Sequence, residues 1–346
     1  MPGAQYALNI VHPGSPVLRI RYRSGILVDP YGFPDWSLVA RAVVEMPPPP
    51  SGLTGDEIRV LDVLAANLAL ASVGEDPLWT DPVYGDAVAT PPGWCWAHLG
   101  RSRRLALVPV ELHGSYRHAG GMRTLDAPDP SRGLRGPFST EPVRADPDDE
   151  VPEDVLRSAE EMLGAALPAT YRDFLAGTNG AAPAVPAVLE GHGFVVDQPL
   201  FGLARADQHQ DLTYAAGWLV DRFTPDLLPI GYVQGGLLAV ELTGPGADTV
   251  WYWDDDDPRD EARFDPVHIR EHLLYRCADS FAAFWASLRR PPAPLVERAA
   301  DLVARGAVRP LRDELAGAGL PAAKRAPGQA VPQGRSDVVS KIFDVP

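Results

Sequence analysis

The sequence has 346 residues, of which 45% are hydrophobic and 22% charged, a composition typical of a folded protein with room for two cores. Two cysteines far apart in the chain exclude a disulfide framework. No run approaches the roughly 18 apolar residues of a membrane helix, and residues 1–16 lack a signal-peptide pattern, so we expect a cytoplasmic protein without a membrane segment. The net charge of −15 disfavours nucleic acid and favours a basic protein as the partner.

The first predicted helix covers Asp56–Leu70. Thr54 and Glu57 form a capping-box pattern at its start, and apolar residues then recur at helical spacing. Alternating apolar residues predict strands before it, at residues 6–11, 17–22 and 39–46. Asn67, on this helix, is interpreted as a structural residue.

Three of the eight histidines lie close together, at positions 98, 113 and 118. Residues 94–96 and 105–108 predict a β-hairpin, and Pro109 predicts the start of a helix that ends at Gly120. Five residues correspond to about 500° around a helix, so His113 and His118 would point roughly 140° apart. Both can face one site only if the helix bends or ends between them.

This stretch resembles the HNH nuclease toxins of bacterial polymorphic toxin systems, whose signature is Trp-His-His. The matching residues are Pro92, Gly93, Trp96, His98, Leu107, Val108, Pro109, His113, His118, Gly120 and Gly121, with Pro34–Ser37, Asp62 and Asn67 as further matches. The resemblance implies a ββα-metal (HNH-like) domain over residues 1–121, with His98 as the general base and His113 and His118 at a divalent metal such as Zn²⁺ or Mg²⁺.

Ala97 departs from that signature, because it stands where the family has the first histidine of the pair. Alanine has no lone pair and cannot hold a metal. Residues 1–121 also contain nine arginines against eleven acidic residues, about −2 in all, whereas a nuclease normally presents a positive surface to phosphate. Both features predict a nuclease-like domain that has lost its activity and has no cofactor.

Residues 122–150 are rich in Asp, Pro, Gly, Ser and Arg, which predicts a linker that is flexible or lies over a surface. Residues 151–290 then resemble the SUKH superfamily of bacterial immunity proteins. The matching residues are Ala159, Glu160, Leu163, Gly164, Leu167, Pro168, Tyr171, Phe174, Leu175, Asn179, Gly180, Leu228–Gly231, Gly235, Gly236, Val250–Asp254 and Asp279–Phe281. The resemblance implies an α+β fold, a sheet with packed helices, and no catalytic site.

Residues 291–320 predict two short amphipathic helices, 294–305 and 310–315, that we expect to pack on the second domain. Residues 321–346 are rich in Ala, Pro, Gly and Gln and predict a disordered tail. The whole chain is therefore predicted to be α+β, with two domains.

A protein-binding surface is predicted at Trp251, Tyr252 and Trp253, followed by Asp254, Asp255, Asp256 and Asp257. Side chains alternate along a strand, so Tyr252 should point away from the two tryptophans, one face packing in the core and the other anchoring a partner. The four aspartates form either a solvated loop or an anionic patch that mimics nucleic acid and engages a basic nuclease.

Two functions from different classes follow. The first is a cytoplasmic SUKH immunity-type protein of a bacterial toxin/immunity system, which recognises a protein partner such as a basic nuclease toxin and carries an inactive nuclease-like domain. The alternative is an active divalent-metal-dependent endonuclease fused to a SUKH domain. An exported effector whose SUKH domain is a docking adaptor is a third possibility.

Overall fold

The structure is a computed structural model that describes residues 6–10, 18–23, 26–29, 31–73, 79, 88–114, 117–129, 131–146, 150–219, 222–260 and 265–311. The predicted tail, residues 321–346, and most of the predicted helix 310–315 lie outside the described residues. Among the described residues no helix combines the length and the apolar run needed to cross a membrane.

Helices and strands are interspersed along the chain. In chain order, the strands are β1 Tyr6–Ile10, β2 Leu18–Arg23, β3 Ile26–Val28, β4 Ala42–Glu45, β5 Trp94–His98, β6 Arg104–Pro109, β7 Ala145–Asp146, β8 Ala182–Pro183, β9 Ala187–Val188, β10 Val195–Val196, β11 Leu227–Val233, β12 Gly236–Glu241, β13 Val250–Asp254, β14 Leu274–Ala278 and β15 Arg309–Pro310. The α-helices are α1 Gly55–Val73, α2 Val110–His113, α3 Glu153–Leu163, α4 Ala169–Thr178, α5 Leu212–Trp218, α6 Pro266–His268, α7 Phe281–Ser287 and α8 Ala293–Ala304.

The N-terminal domain is built on an antiparallel sheet with the order β15-β4-β6-β5. Helix α1 begins at the predicted capping box, in which the Thr54 N–H donates to Glu57 Oε2 and the Glu57 N–H donates to Thr54 Oγ1, both at 3.0 Å. Trp94 and Trp96 of β5 share an apolar core with α1. Because strand side chains alternate, Cys95 and Ala97 face the other way.

The second domain contains the antiparallel meander β11-β12-β13-β14, with helices packed on it. Its core includes Leu156 of α3, Tyr171 of α4, Phe284 of α7 and Ile230 of β11. The predicted α+β class and the two-domain layout are confirmed.

One apolar core joins the two domains. Cys95, Ala97, Ala106 and Val108, on the second face of the N-terminal sheet, belong to the same core cluster as the meander of the second domain. Ala97 and Ala106 are paired across strands β5 and β6, and both are buried. Two small residues side by side leave room for the second domain to approach the sheet.

The C-terminal elements do not pack where the sequence suggested. Helix α8 lies against α1, with Leu295 and Leu302 in the core of the N-terminal domain. Strand β15 then pairs with β4 through Arg309 and Pro310. The expectation that residues 291–320 pack on the second domain is therefore wrong for α8. The apolar face of α8 packs on α1, and the spacing of apolar residues within α8 does not predict which element it packs against.

The segment predicted as a flexible linker is packed over much of its described length. Leu134 is buried in the N-terminal core, and the Gly133 N–H donates to Asp56 Oδ2 at 2.6 Å. Val143 is buried in the core that both domains share. β7 pairs with β8 of the second domain. The segment therefore lies over a surface, which is the second of the two possibilities that its composition predicted.

Candidate functional site: a histidine pocket closed by an acidic loop

His98 ends strand β5 and is held by a carboxylate of helix α1. Its Nε2 lies 3.2 Å from Asp62 Oδ2. Arg103, on the hairpin turn, donates to both oxygens of Asp62 at 2.8 Å. Asp62 is 1% exposed, so this carboxylate is satisfied by the guanidinium and fixes the orientation of the imidazole. The match of Asp62 to the family was the only sequence signal for this contact.

His113 and His118 converge, although the predicted single helix is wrong. Helix α2 ends at His113, and His118 lies in non-helical chain. Their ring centroids are 4.8 Å apart in an edge-to-face arrangement, and Trp36 stacks on His113 at 5.5 Å. The helix thus ends between the two residues, which is the condition under which both can face one site. Pro109 precedes the short helix as predicted, but the helix ends before Gly114 and not at Gly120.

The histidine pocket, defined as the cavity lined by His98, His113 and His118, is covered by Asp255 and Asp256 of residues 254–260, called the acidic loop below. Asp255 Oδ2 lies 3.5 Å from His113 Nδ1. The lining side chains leave a cavity of about 20 Å³, which is room for about one water molecule. A phosphodiester with its sugars does not fit in this space.

Burial controls the charges in the pocket. It lowers the pKa of His113 well below 6.5, with His118, Arg222 and His98 acting in the same direction. It raises the pKa of Asp255 from 3.8 to about 7, with the neighbouring aspartates adding to the rise. Both shifts favour the uncharged forms, so in mild acid, below the pKa of Asp255, the contact is largely one between two neutral groups.

The aspartates of the acidic loop are buried, or in the case of Asp256 partly buried, rather than solvated. Asp254 and Asp257 are 3% and 1% exposed. Asp256 Oδ1 accepts a hydrogen bond from the Met122 N–H at 3.1 Å. A Cβ atom at Gly120 would lie 1.8 Å from the same oxygen, so only glycine fits beneath this carboxylate. The solvated-loop interpretation of Asp254, Asp255, Asp256 and Asp257 is wrong.

Arginines from outside the second domain converge on the acidic loop. Arg59 of α1 donates to Asp254 Oδ1 at 2.9 Å and to Asp256 Oδ2 at 3.1 Å. Arg117 forms a bidentate pair with Asp260, and Arg132 pairs with Asp254. The net charge of −2 for residues 1–121 concealed this arrangement. The two arginines from that range lie on the side that faces the acidic loop.

The free edge of strand β5 is covered by polar side chains of the second domain. Gln234 Oε1 accepts from the Trp96 N–H at 2.9 Å, and Gln198 Oε1 accepts from the Gly93 N–H at 2.8 Å. Asp197 accepts from the Thr90 N–H and from Gln234 Nε2, both at 3.0 Å. An edge strand carries unpaired backbone groups; these contacts satisfy the Trp96 N–H of the strand and the N–H groups of Gly93 and Thr90 just before it. Nothing in the sequence around Asp197, Gln198 and Gln234 indicates that these residues cover the edge of a strand.

The predicted aromatic anchors are occupied within the chain. Tyr252 and Trp253 are each 1% exposed, and Trp251 is partly buried. The Tyr252 hydroxyl accepts from Arg59 Nη1 at 3.3 Å, and Arg117 lies over the Trp253 ring at 5.0 Å. Both faces of β13 are therefore covered, and two of the three aromatic residues contact arginines of the N-terminal domain.

The residues present do not fit the divalent metal that the family resemblance implies. Ala97 offers a methyl group, and His98 Nε2 is engaged with Asp62. Within the described ranges, no group of three or more His, Cys, Asp or Glu side chains is arranged to hold a metal ion. Cys95 and Cys277 are free thiols, and burial raises the pKa of both well above 9.0, which keeps them protonated.

Comparison with known families supports both resemblances and their order. Residues 86–127 match the model of a nuclease of the HNH/ENDO VII superfamily with conserved WHH. Residues 150–287 match the model of the SMI1/KNR4 family (SUKH-1). The matched segment contains Trp96-Ala97-His98 and no Trp-His-His. A search of curated proteins found no significant match.

Proposed function

We propose that this chain, in which a WHH-type nuclease domain precedes a SUKH domain, is a binding protein of a bacterial toxin/immunity system that does not cut nucleic acid. It would act in the cytoplasm and recognise a protein partner such as a basic nuclease toxin. The observation that carries the proposal is the size of the histidine pocket. With the acidic loop in place, about 20 Å³ remains where a phosphodiester would have to enter.

The chemistry of the site supports the same conclusion. Hydrolysis of a phosphodiester needs a base and a cation that absorbs the charge developing on the phosphate. Ala97 removes one ligand, and an imidazole at this position would have to fit into the core shared by the two domains. Close packing of the second domain against the sheet and a histidine at position 97 therefore exclude each other.

The decisive experiment is plasmid nicking by the full chain with Mg²⁺, Mn²⁺ or Zn²⁺. The full chain is required, because β15 and α8 complete the N-terminal domain. We expect no nicking above background in the wild type, and no change in His98→Ala. Nicking by the wild type that disappears in His98→Ala would establish an endonuclease and overturn the proposal.

One observation favours the alternative of an active endonuclease. A carboxylate behind His98 is the arrangement that orients a general base, and Asp62 provides it. The same assay on a chain with the acidic loop neutralised, Asp255→Asn with Asp256→Asn, separates the two functions. Metal-dependent nicking in this variant supports an enzyme held inactive by its loop, and its absence supports a pseudo-nuclease.

The partner is tested by direct binding. A purified WHH nuclease domain with an intact Trp-His-His motif, inactivated by alanine at its general base, is titrated with this chain in a calorimeter. We expect saturable binding that weakens with salt, because the chain carries a net charge of −15 and the expected partner is basic. Heat no larger than that of dilution, at low and at physiological salt, would contradict the proposal.

A further inference from the structure

The contacts of the acidic loop go beyond those of a surface ion-pair network. From outside the second domain, its carboxylates meet three different arginines, one main-chain N–H group and one histidine of the pocket. Guanidinium forks and backbone N–H groups are also the donors that bind phosphate in nucleic-acid complexes. The loop thus presents carboxylate oxygens to a set of donors suited to phosphate oxygens.

The donor set is not saturated by the loop. Arg59 is 4% exposed, and within the described part of the chain its Nε–H has no hydrogen-bond partner. A buried unsatisfied N–H costs about 1–3 kcal/mol and is uncommon in folded proteins. Two carboxylates occupy Nη2 of Arg59, and the Gly193 carbonyl and the Tyr252 hydroxyl occupy Nη1. Nε is left unused, whereas a phosphate offers additional oxygens.

Gly120 lies against the loop, and Gly121 packs on the backbone of His98 next to the pocket. Gly120 leaves the space that Asp256 fills, and a Cβ at Gly121 would lie 2.1 Å from the carbonyl oxygen of His98. The carboxylate of Asp256 therefore lies against bare backbone, beside the histidine that the family resemblance makes the base. This is where a backbone phosphate would have to sit to approach His98.

We infer that the acidic loop is an intramolecular substitute for the phosphate backbone of duplex DNA, and that it masks a latent anion-binding face formed by Arg59, Arg117 and Arg132 around Gly120. Loop and DNA are mutually exclusive ligands of this face. The inference concerns binding only and does not depend on whether the pocket can cut.

The test compares two full-length double variants of equal charge change. The loop variant is Asp256→Asn with Asp260→Asn, and the control is Glu271→Gln with Asp279→Asn, whose side chains are 63% and 80% exposed on the same domain. Binding of a fluorescein-labelled duplex of about 20 base pairs, long enough to span two turns of DNA, is followed by anisotropy in EDTA, so that no cleavage interferes.

We expect the loop variant to bind at least about tenfold more tightly than the control. The plot of log Kd against log [NaCl] should also steepen by about 2, because each arginine freed for a phosphate adds about 0.9 to the slope. Equal affinities of the two variants would overturn the inference. A failed proposal of function would instead appear as nicking in Mg²⁺, which is a separate readout.

Asp260 also holds Arg117 in the fold, so a milder pair of variants is measured in parallel. Asp256→Asn alone keeps the Arg117 pair and is matched by Glu271→Gln. We expect at least about a threefold gain in affinity for Asp256→Asn over its control, with unchanged circular dichroism. The same affinity for both single variants would overturn the inference whatever the double variant does.

Discussion

Arg59→Met is the substitution that most directly tests the interface between the two domains. The methionine keeps most of the apolar stem and removes the guanidinium. In the wild type this group contacts Asp254 and Asp256 through Nη2 and the Gly193 carbonyl through Nη1 at 3.1 Å. All of these partners belong to the second domain. The variant therefore leaves two carboxylates at a closed interface without their main counter-charge.

The expected loss of stability is about 3 kcal/mol. Removing one partner of a buried ion pair typically costs about 3–5 kcal/mol, because the remaining charge is buried alone. The low end applies here, since Asp254 keeps its pair with Arg132 and Asp256 is only partly buried. Adding Asp254→Asn and Asp256→Asn to Arg59→Met should recover part of the loss, because the stranded charges are then gone.

The assay is urea unfolding of the full chain, followed by tryptophan fluorescence and by circular dichroism. Arg305→Met is the control, because its pair with Asp301 is solvent-exposed at 62% and 59% and should contribute less than about 1 kcal/mol. An Arg59→Met loss no greater than that of Arg305→Met would refute the reasoning. So would a further loss, rather than a recovery, in the triple variant.

Three further predictions follow from the same interface. Gly120→Ala should cost about 1–3 kcal/mol by displacing Asp256, whereas Gly177→Ala, in open space on a helix, should stabilise the fold by about 0.5–1 kcal/mol. The urea midpoints of the two variants are compared, and similar effects would contradict the close contact between Gly120 and Asp256. Gln234→Leu should cost about 1–3 kcal/mol, because it leaves the Trp96 N–H without its partner and removes one of the donors to the buried Asp197 carboxylate. A loss below about 0.5 kcal/mol, roughly half a typical net hydrogen bond, would show that water replaces the glutamine. Asp255→Asn should gain stability relative to the wild type as pH rises from about 4 to 7. In that window the folded wild type holds a proton on Asp255 that the unfolded chain releases, so its stability falls by up to about 1.4 kcal/mol per pH unit. Thermal melts of both proteins across this pH range measure the effect, and a stability difference between variant and wild type that does not change with pH would disprove the prediction.

Local patterns were sufficient where neighbouring residues decide the structure. The capping box at Thr54 and Glu57 placed the start of α1 within one residue, and the hairpin of β5 and β6 formed with the predicted turn. In each case the residues that decide the structure lie close together in the chain.

Contacts between distant segments were not predictable in the same way. Asp254 and Arg59 are separated by 195 positions, and neither residue alone indicates a partner. A run of four aspartates is usually solvated, because burying a carboxylate is costly unless a cation compensates it. Here the compensating arginines lie on α1 and in the segment around residue 132. The net charge of a domain does not show where its arginines lie, so the sequence did not predict that the acidic loop covers the pocket.

The most direct test of the closed pocket is the titration of His113 in the full chain, followed by NMR of the imidazole protons and assigned with His113→Gln. Burial under Asp255 predicts that the pKa of His113 lies well below 6.5, so that the ring stays neutral in mild acid. An ordinary titration with a midpoint near 6.5, the value of a solvated imidazole, would show that the acidic loop does not cover the histidine pocket in solution.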